Sequence, residues 1–329
     1  MVVAVRDPRS IGIRTYVERL AVALAEVGVE YLPASRPDPE AVCHFHLANS
    51  TRAVLPYAAR HRRAFLVTVH DVIPRARALR PLHRAVVVPA CVRRASRLIV
   101  HSRHAAGLLA HTAGVAESQV DIVPHPAPVP RSADRAAARR ALALVDPEGF
   151  AALSIDAPPL FVLPGTLKGA KLVRETLCAA GPLLAGGRAQ LLLAGHVTQE
   201  TLAREATAAG ALLLRDPDEG TYEHAIVAAD VVLCLRAGTV GESNGPLLDA
   251  IGAGRPSLVT NVGSGPEVAG DSARVVASTA PRIRTGLEAL LDQDERDSRA
   301  CAARARAAEL TWEHSARRHL ELLSELGVA

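Results

Sequence analysis

Lysine is almost missing from this 329-residue chain: only Lys168 and Lys171 stand among its 38 basic residues, and the rest are Arg. Aromatic residues are scarce too, at 3% of the chain. Basic stretches with no interleaved aromatics have nothing to stack on bases, so nucleic acid is excluded as a partner. The five cysteines, at 43, 91, 178, 234 and 301, are odd in number and form no C-x-x-C pair or metal-ligand spacing. They read as reduced thiols in the core. No run of 18 apolar residues occurs, which removes a membrane span, and residues 1–7 read as a short strand instead of a signal peptide. These absences lead to the expectation of a cytoplasmic protein.

What is present is apolar content, 49% of a chain longer than one hydrophobic core usually serves. Two domains are expected. The net charge of +4 conceals a split, since residues 1–150 carry 21 Arg against 12 acids while the remainder carries 17 basic residues against 22 acids. The basic half reads as facing an anionic acceptor, as making peripheral contact with an acidic membrane surface, or as plain solvated surface.

Apolar runs alternate with helical periodicity. Strands are expected over 2–5, 41–47, 65–69, 98–100 and 120–125, with a loop at 10–13 and helices over 14–27, 82–95 and 102–110. Prolines at 126, 128, 130, 158 and 159 bracket an Arg/Ala-rich helix over 134–144. The alternation then restarts, with strands over 160–163, 189–194, 211–214, 231–235, 257–260 and 273–276. Helices are expected over 171–180, 199–209, 221–229 and 283–291, and a last one over 312–326. This order predicts an α/β protein of two Rossmann-like, doubly wound domains. The expected division is 1–155, 156–310 and a C-terminal segment 311–329 that packs back on the first domain.

Ligands of parallel sheets bind at the carboxyl ends of strands, so the loops there come first. Gly241-Glu242-Ser243-Asn244-Gly245-Pro246 leads into a helix that Leu247, Leu248, Asp249, Ala250 and Ile251 propagate, with Pro246 suited to its first turn. Such a start presents N–H donors to a phosphate or a sugar. Glu242, a carboxylate beside an anion site, suits the hydroxyls of a sugar. The loop Gly165-Thr166-Leu167-Lys168-Gly169 follows a strand, and Lys168, between the loop's two glycines, suits a pyrophosphate oxygen, whereas Lys171 reads as surface. His70-Asp71 ends a strand, where the imidazole could bond a sugar hydroxyl or simply be held by Asp71. His44 and His46 alternate on a strand without a third ligand, so no metal is expected. Gly12 and Arg14 follow the first strand without the G-x-G-x-x-G fingerprint. No P-loop and no G-x-S-x-G elbow occurs.

Taken together, the Gly12 loop before Arg14, Thr68-Val69-His70-Asp71, Leu98-Ile99-Val100-His101-Ser102, Val123-Pro124-His125, Gly165 with Lys168-Gly169, Ala229-Asp230-Val231 and the 238–267 stretch resemble, in order and spacing, retaining glycosyltransferases of the GT-B fold, specifically the family 4 group. The resemblance implies two domains facing across a cleft, the second binding a nucleotide-sugar donor and the first a hydroxylated or anionic acceptor. It implies hexosyl transfer with retention of anomeric configuration, without a metal and with no cofactor beyond the nucleoside-diphosphate sugar itself. Lys168 would hold the diphosphate, Asp249 the ribose, and His70 would lie near the reacting centre with Glu242. Gly12, Gly165, Thr166, Arg215, Arg236, Ser243, Asn244, Gly245, Pro246 and Leu247 complete the donor site, Arg215 near the base. Arg14, His70 and Asp71 are placed toward the acceptor. Two departures stand out: Glu242 and Asp249 are separated by six residues where the family has seven, read as a shifted turn, and the basic partner of the lysine is absent, so that Arg236 or a backbone donor replaces it. A nucleotide-sugar epimerase and a silent nucleotide-sugar-binding scaffold are the alternatives.

Overall fold

The computed structural model describes residues 2–5, 11–34, 42–48, 54–151, 153–154 and 157–327. Ser10 and Ala41 lie outside these, as do 155 and 156 at the expected domain boundary. In chain order the elements are β1 (Val2–Val5), α1 (Ile11–Glu26), β2 (Tyr31–Ala34), β3 (Val42–Leu47), α2 (Leu55–Arg60), β4 (Phe65–Val69), α3 (Arg80–Leu82), β5 (Arg97–Val100), α4 (Arg103–Ala113) and β6 (Val120–Ile122). Then come α5 (Arg135–Val145), β7 (Leu160–Pro164), α6 (Val173–Ala185), β8 (Gln190–Gly195), α7 (Glu200–Ala208), β9 (Leu212–Arg215), α8 (Glu219–Ala228) and β10 (Val231–Cys234). The series closes with α9 (Gly245–Gly252), β11 (Ser257–Thr260), α10 (Gly265–Ala269), β12 (Ala273–Val276), α11 (Ala280–Ala289), α12 (Gln293–Glu309) and α13 (Trp312–Ser324). Two six-stranded parallel sheets result, ordered β2-β1-β3-β4-β5-β6 and β12-β11-β10-β7-β8-β9.

Backbone contacts divide the chain into two units. The first holds Met1–Pro126, Val240–Ser243 and Leu310–Ala329, and the second Ala127–Thr239 and Asn244–Glu309. The division therefore falls ahead of α5 and not after it. Arg139 of α5 explains this: its buried guanidinium donates to Asp230 Oδ2 at 2.6 Å and to the Ala228 carbonyl at 3.1 Å, locking α5 onto α8 and the start of β10.

Each sheet is buried on both faces, as helices on either side require. In the first unit Phe45, Phe65, Val67 and Val69 face α2 and α4, while Val2, Ala4, Leu66 and Ile99 face α1 and α13. α13 closes the core with Ala316, Leu322 and Leu323. Helix starts follow capping chemistry: Ser102 accepts from the Ala105 N–H at 3.1 Å, and Asp134 and Asp218 do the same for α5 and α8.

Four local expectations change. α1 already begins at Ile11, so Gly12 lies in a helical turn with open space around it instead of in a loop. The helix expected over 82–95 is a π-helical stretch, His83–Val92, which accommodates Pro89 and its missing N–H. α12 carries alanines as its main apolar residues and buries only Ala303, so no apolar stripe announced it. Cys43, Cys91 and Cys234 are buried as expected, but Cys178 and Cys301 are exposed.

The loop after β7 is pinned to the end of β8. The Gly165 N–H donates to the Ala194 carbonyl at 2.8 Å and the Leu167 N–H to that of His196 at 2.8 Å. A Cβ at Gly195 would meet the Gly165 carbonyl oxygen at 2.1 Å, so the loop reaches this position only because residue 195 has no side chain. Gly195→Ala is expected to destabilise the second unit by about 1–3 kcal/mol, read as a lower urea midpoint with an unchanged m-value. An unchanged midpoint would show that the two backbones separate at no cost.

Candidate functional site

The strand order of the second sheet reverses at β7: β8 and β9 lie to one side, β10 to β12 to the other. Doubly wound sheets open a crevice at this reversal, at the strands' carboxyl ends, flanked here by the loops after β7 and β10. Gly165 turns the first loop with φ +93°, and a side chain there would have Lys171 Nζ at 3.6 Å and Pro246 Cγ at 3.7 Å as neighbours. The ammonium that reaches the start of α9 is therefore that of Lys171. Lys168 is exposed, while Lys171 is half-buried. The sequence pattern pointed to Lys168 here, and the structure places Lys171 beside Gly165 and Pro246. Leu172, immediately after Lys171, holds a left-handed conformation with φ +56°, which costs a non-glycine residue about 1–2 kcal/mol and sets the direction in which the chain enters α6. The signal available in the sequence was distance along the loop: Lys171 stands next to the helix start, whereas Lys168 attracted notice through its glycine neighbour.

Asn244 precedes α9 but does not cap it. Its buried side chain donates from Nδ2 to the Cys234 carbonyl at 3.3 Å and accepts from Arg236 Nη2 at 3.3 Å, tying the helix start to the end of β10. The N–H groups of Leu247 and Leu248 both go to the Asn244 carbonyl, and Pro246 has none. The donors that can face an anion thus narrow to the turn ahead of Pro246, fewer than a free helix start offers. Arg236 is itself fixed, its N–H donating to Thr260 Oγ1 at 3.0 Å. Asp249, half-buried on α9, accepts from Tyr222 Oη at 3.1 Å. Burial, and then the Asp249 charge, push the Tyr222 phenol well above its ordinary value, so it stays a neutral donor. Arg215 ends β9 exposed and forms two bonds to the Glu200 carboxylate, at 2.6 and 3.1 Å. Thr166 is half-buried in the β7 loop.

Val240–Ser243 belongs to the first unit. The Val72 and Ile73 N–H groups donate to the Val240 carbonyl at 2.9 and 3.2 Å, and Val72 Cγ2 fills the space beside Gly241. The buried Glu242 carboxylate accepts from the Val240 N–H at 2.7 Å and lies 3.5 Å from Arg75 Nη1. Arg75 also donates to Asp71 at 2.9 Å. Glu242 is thus turned back on its own loop and on Arg75, and Asp71 shares that arginine. Arg14, on α1, is exposed and lies 3.9 Å from Glu18.

His70 belongs to a buried chain of hydrogen bonds that sequence reasoning did not foresee. It runs Thr68–His44 (2.7 Å), His44–Tyr31 (2.7 Å), Tyr31–His46 (2.8 Å), His46–His70 (3.1 Å), His70–His101 (3.3 Å) and His101–Val123 carbonyl (2.9 Å). The last partner sets every proton. A carbonyl only accepts, so His101 Nδ1 carries the hydrogen and its Nε2 accepts from His70 Nδ1. His70 Nε2 then accepts from His46 Nδ1, and His46 Nε2 accepts from the Tyr31 hydroxyl. Tyr31 Oη accepts in turn from His44 Nδ1, and His44 Nε2 from the Thr68 hydroxyl. All four imidazoles are neutral Nδ1–H tautomers, and both nitrogens of His70 are taken up within the unit. The ring of Tyr16 sits against those of His46, His70, His101, His125 and Trp312, with centroids 5.0 to 6.0 Å away. Among the described residues no group of three His, Cys, Asp or Glu is placed to hold a metal ion.

No family model matches the chain, and no curated protein does. Solved structures do. The chain is similar to Anabaena HepE, solved with UDP and glucose, at 13% identity over 98% of both chains with a TM-score of 0.72. It is similar to a glycosyltransferase of Rickettsia africae at 11% identity, covering 99% of this chain and 98% of that one, with a TM-score of 0.70. It also resembles a UDP-forming trehalose-phosphate synthase of Burkholderia xenovorans at 13% identity, over 95% and 79% of the two chains, with a TM-score of 0.67. At such identities the likeness establishes the fold, the two-domain GT-B type built from Rossmann-like α/β units.

The imidazole chain has a pH consequence. Burial first, and then neighbouring histidines, hold His44, His46 and His70 well below the ordinary value, while burial lowers His101 to about 3 and His125 and His319 to about 4. The unfolded chain binds protons that the folded chain refuses, so stability is full above roughly pH 6.5 and falls as the pH drops toward 4, by about 1.4 kcal/mol per pH unit for each histidine. Urea midpoints of the first unit at pH 7.5 and 5.0 are expected to show this loss. Nitrogen-15 NMR at pH 7.5 is expected to find His44, His46, His70 and His101 as Nδ1–H forms, and an Nε2–H or charged ring among them would break the assigned order.

Proposed function

We propose that this chain is a glycosyltransferase that moves a hexose from a nucleoside-diphosphate sugar to a hydroxylated acceptor, with retention of anomeric configuration and without a metal. The observation that carries the reading is Lys171: its ammonium lies beside Gly165 and Pro246, at the reversal of the second sheet, where the start of α9 and the β7 loop meet. HepE, which shares this fold over nearly its whole length, was solved with UDP, and the trehalose-phosphate synthase is UDP-forming, so uridine is the first base to try.

The barrier in such a transfer is departure of the nucleoside diphosphate from a carbon that gains positive character. A cation and N–H donors already in position lower it, because they need no reorganisation as charge develops on the leaving oxygen. Lys171 supplies the charge in this proposal, and the turn Ser243-Asn244-Gly245 supplies the N–H groups, with Gly165 giving the phosphates room. Asp249, oriented by Tyr222, accepts from the ribose hydroxyls. Arg236, Thr166, Pro246 and Leu247 shape the donor pocket, and Arg215 leaves Glu200 to approach the base. The acceptor, a small hydroxylated or anionic molecule, is assigned to the first unit together with Arg14 and Asp71. Glu242 acts on the donor sugar through the carboxylate that Arg75 and the Val240 N–H orient. His70 acts through the neutral state its neighbours impose and carries no charge to the reaction. Retention of configuration rests on the family resemblance and is read from the anomeric proton coupling of the product.

Lys171→Ala is expected to weaken UDP binding at least tenfold by calorimetry, and to lower turnover roughly a hundredfold once a donor sugar is identified. Lys168→Ala, which removes an exposed side chain, is expected to stay within about threefold of the parent. The opposite ranking of the two variants would return the phosphate contact to Lys168, and UDP failing to bind alongside the GDP, ADP and dTDP counterparts would remove the donor-site reading.

A further inference from the structure

We propose that the second unit has another binding site, for a small phosphorylated anion, at the amino-terminal edge of its sheet and therefore at the opposite end from the Lys171 crevice. A pocket of about 540 Å³ lies there, lined by Arg135, Asp230, Arg255, Arg296, Asp297 and Arg304. Its floor precedes the strands: Pro159 stands before β7, Asp230 before β10 and Pro256 before β11.

The charges of this pocket do not balance. Asp230 is occupied by Arg135, by Arg139 and by the Leu160 N–H. Asp297 is exposed, and among the described residues no carboxylate pairs with Arg255, Arg296 or Arg304. Arg255 Nη2 donates to the Ala133 carbonyl at 2.9 Å, while its Nε is buried without a partner. Arg296 Nη1 meets only the carbonyls of Leu290 and Leu291, at 2.9 and 2.7 Å. Burial, followed by Arg135, pulls the Arg255 guanidinium down to about 10, and the Asp230 charge does not make up the difference against Arg139 and Arg304.

Guanidinium groups gathered around a desolvated one repel each other, and a multiply charged anion among them recovers that energy. Their planar forks match phosphate oxygens. The lining contains no aromatic side chain to hold a base, and the volume exceeds that of inorganic phosphate alone. A phosphorylated sugar or similar small metabolite fits both facts. The pocket has little apolar wall beyond alanine and proline, which favours a soluble molecule over a lipid headgroup bearing the same phosphate.

Calorimetric titration with pyrophosphate tests this on the full chain carrying Lys171→Ala, where the donor crevice is weakened. Binding is expected to persist there and to fall at least tenfold when Arg304→Gln, an exposed substitution, is added. Arg255→Gln is expected to do the same provided its circular dichroism matches the parent. Loss of all pyrophosphate binding with Lys171→Ala alone, or residual binding that ignores Arg304→Gln, overturns the site. Sedimentation with phosphatidic-acid vesicles separates the sources: Arg304-dependent vesicle binding with no uptake of pyrophosphate overturns the soluble ligand.

Discussion

Two backbones meet at Gly165 and Gly195 with no room for a methyl group between them, and the second unit's crevice takes its shape from that contact. It holds the loop after β7 against the end of β8, so that the next residues must turn sharply before α6 begins. The turn is completed by a left-handed leucine at 172, and it leaves the Lys171 ammonium beside Gly165 and Pro246. Asn244 does the matching task on the other side of the reversal, giving up its capping role to bind β10 and Arg236. Local rules are broken at two neighbouring places, an uncapped helix and a strained leucine, and both lie where the fold offers a ligand site.

The first unit is organised by a different constraint. Its sheet ends carry imidazoles instead of apolar side chains, and burial there favours rings that are neutral and hydrogen-bonded. One carbonyl, that of Val123, orients six hydrogen bonds in a single direction. A proton added to any of the four rings would set donor against donor on one side of it. The arrangement therefore excludes positive charge from the strand ends of this unit, in a half of the chain otherwise rich in arginine.

Much of this architecture was legible beforehand, because burial on both faces of a parallel sheet leaves continuous apolar runs that stand out between helices. β1, β4, β7, β10, β11 and β12 all fell within a residue or so of their expected places. α12 did not, because a helix that buries only Ala303 has no apolar period to detect. β2, four residues long and containing Pro33, gave too short a signal. The candidate site was legible as two loops but not as side-chain directions. Lys168 is extended and exposed, whereas Lys171 closes a single 3₁₀ turn, Gly169–Lys171, and is half-buried, a difference that the residue pattern does not carry. Glu242 looked like part of one turn with Asn244, yet its carboxylate meets the Val240 N–H and Arg75, and the two-residue step from Glu242 to Asn244 crosses from one compact unit into the other. The histidine chain escaped notice because its members are far apart in sequence and meet only when the first sheet forms, with β1 between β2 and β3, and β4 and β5 beyond.

The scarcity of lysine makes the central claim testable in one spectrum. A chain labelled with carbon-13 at the lysine ε position gives two signals, one for Lys168 and one for Lys171. Titration with UDP is predicted to shift the Lys171 signal and leave that of Lys168 in place. A shift confined to Lys168, or no shift of either with UDP demonstrably bound, would contradict the placement of the donor phosphates at Lys171.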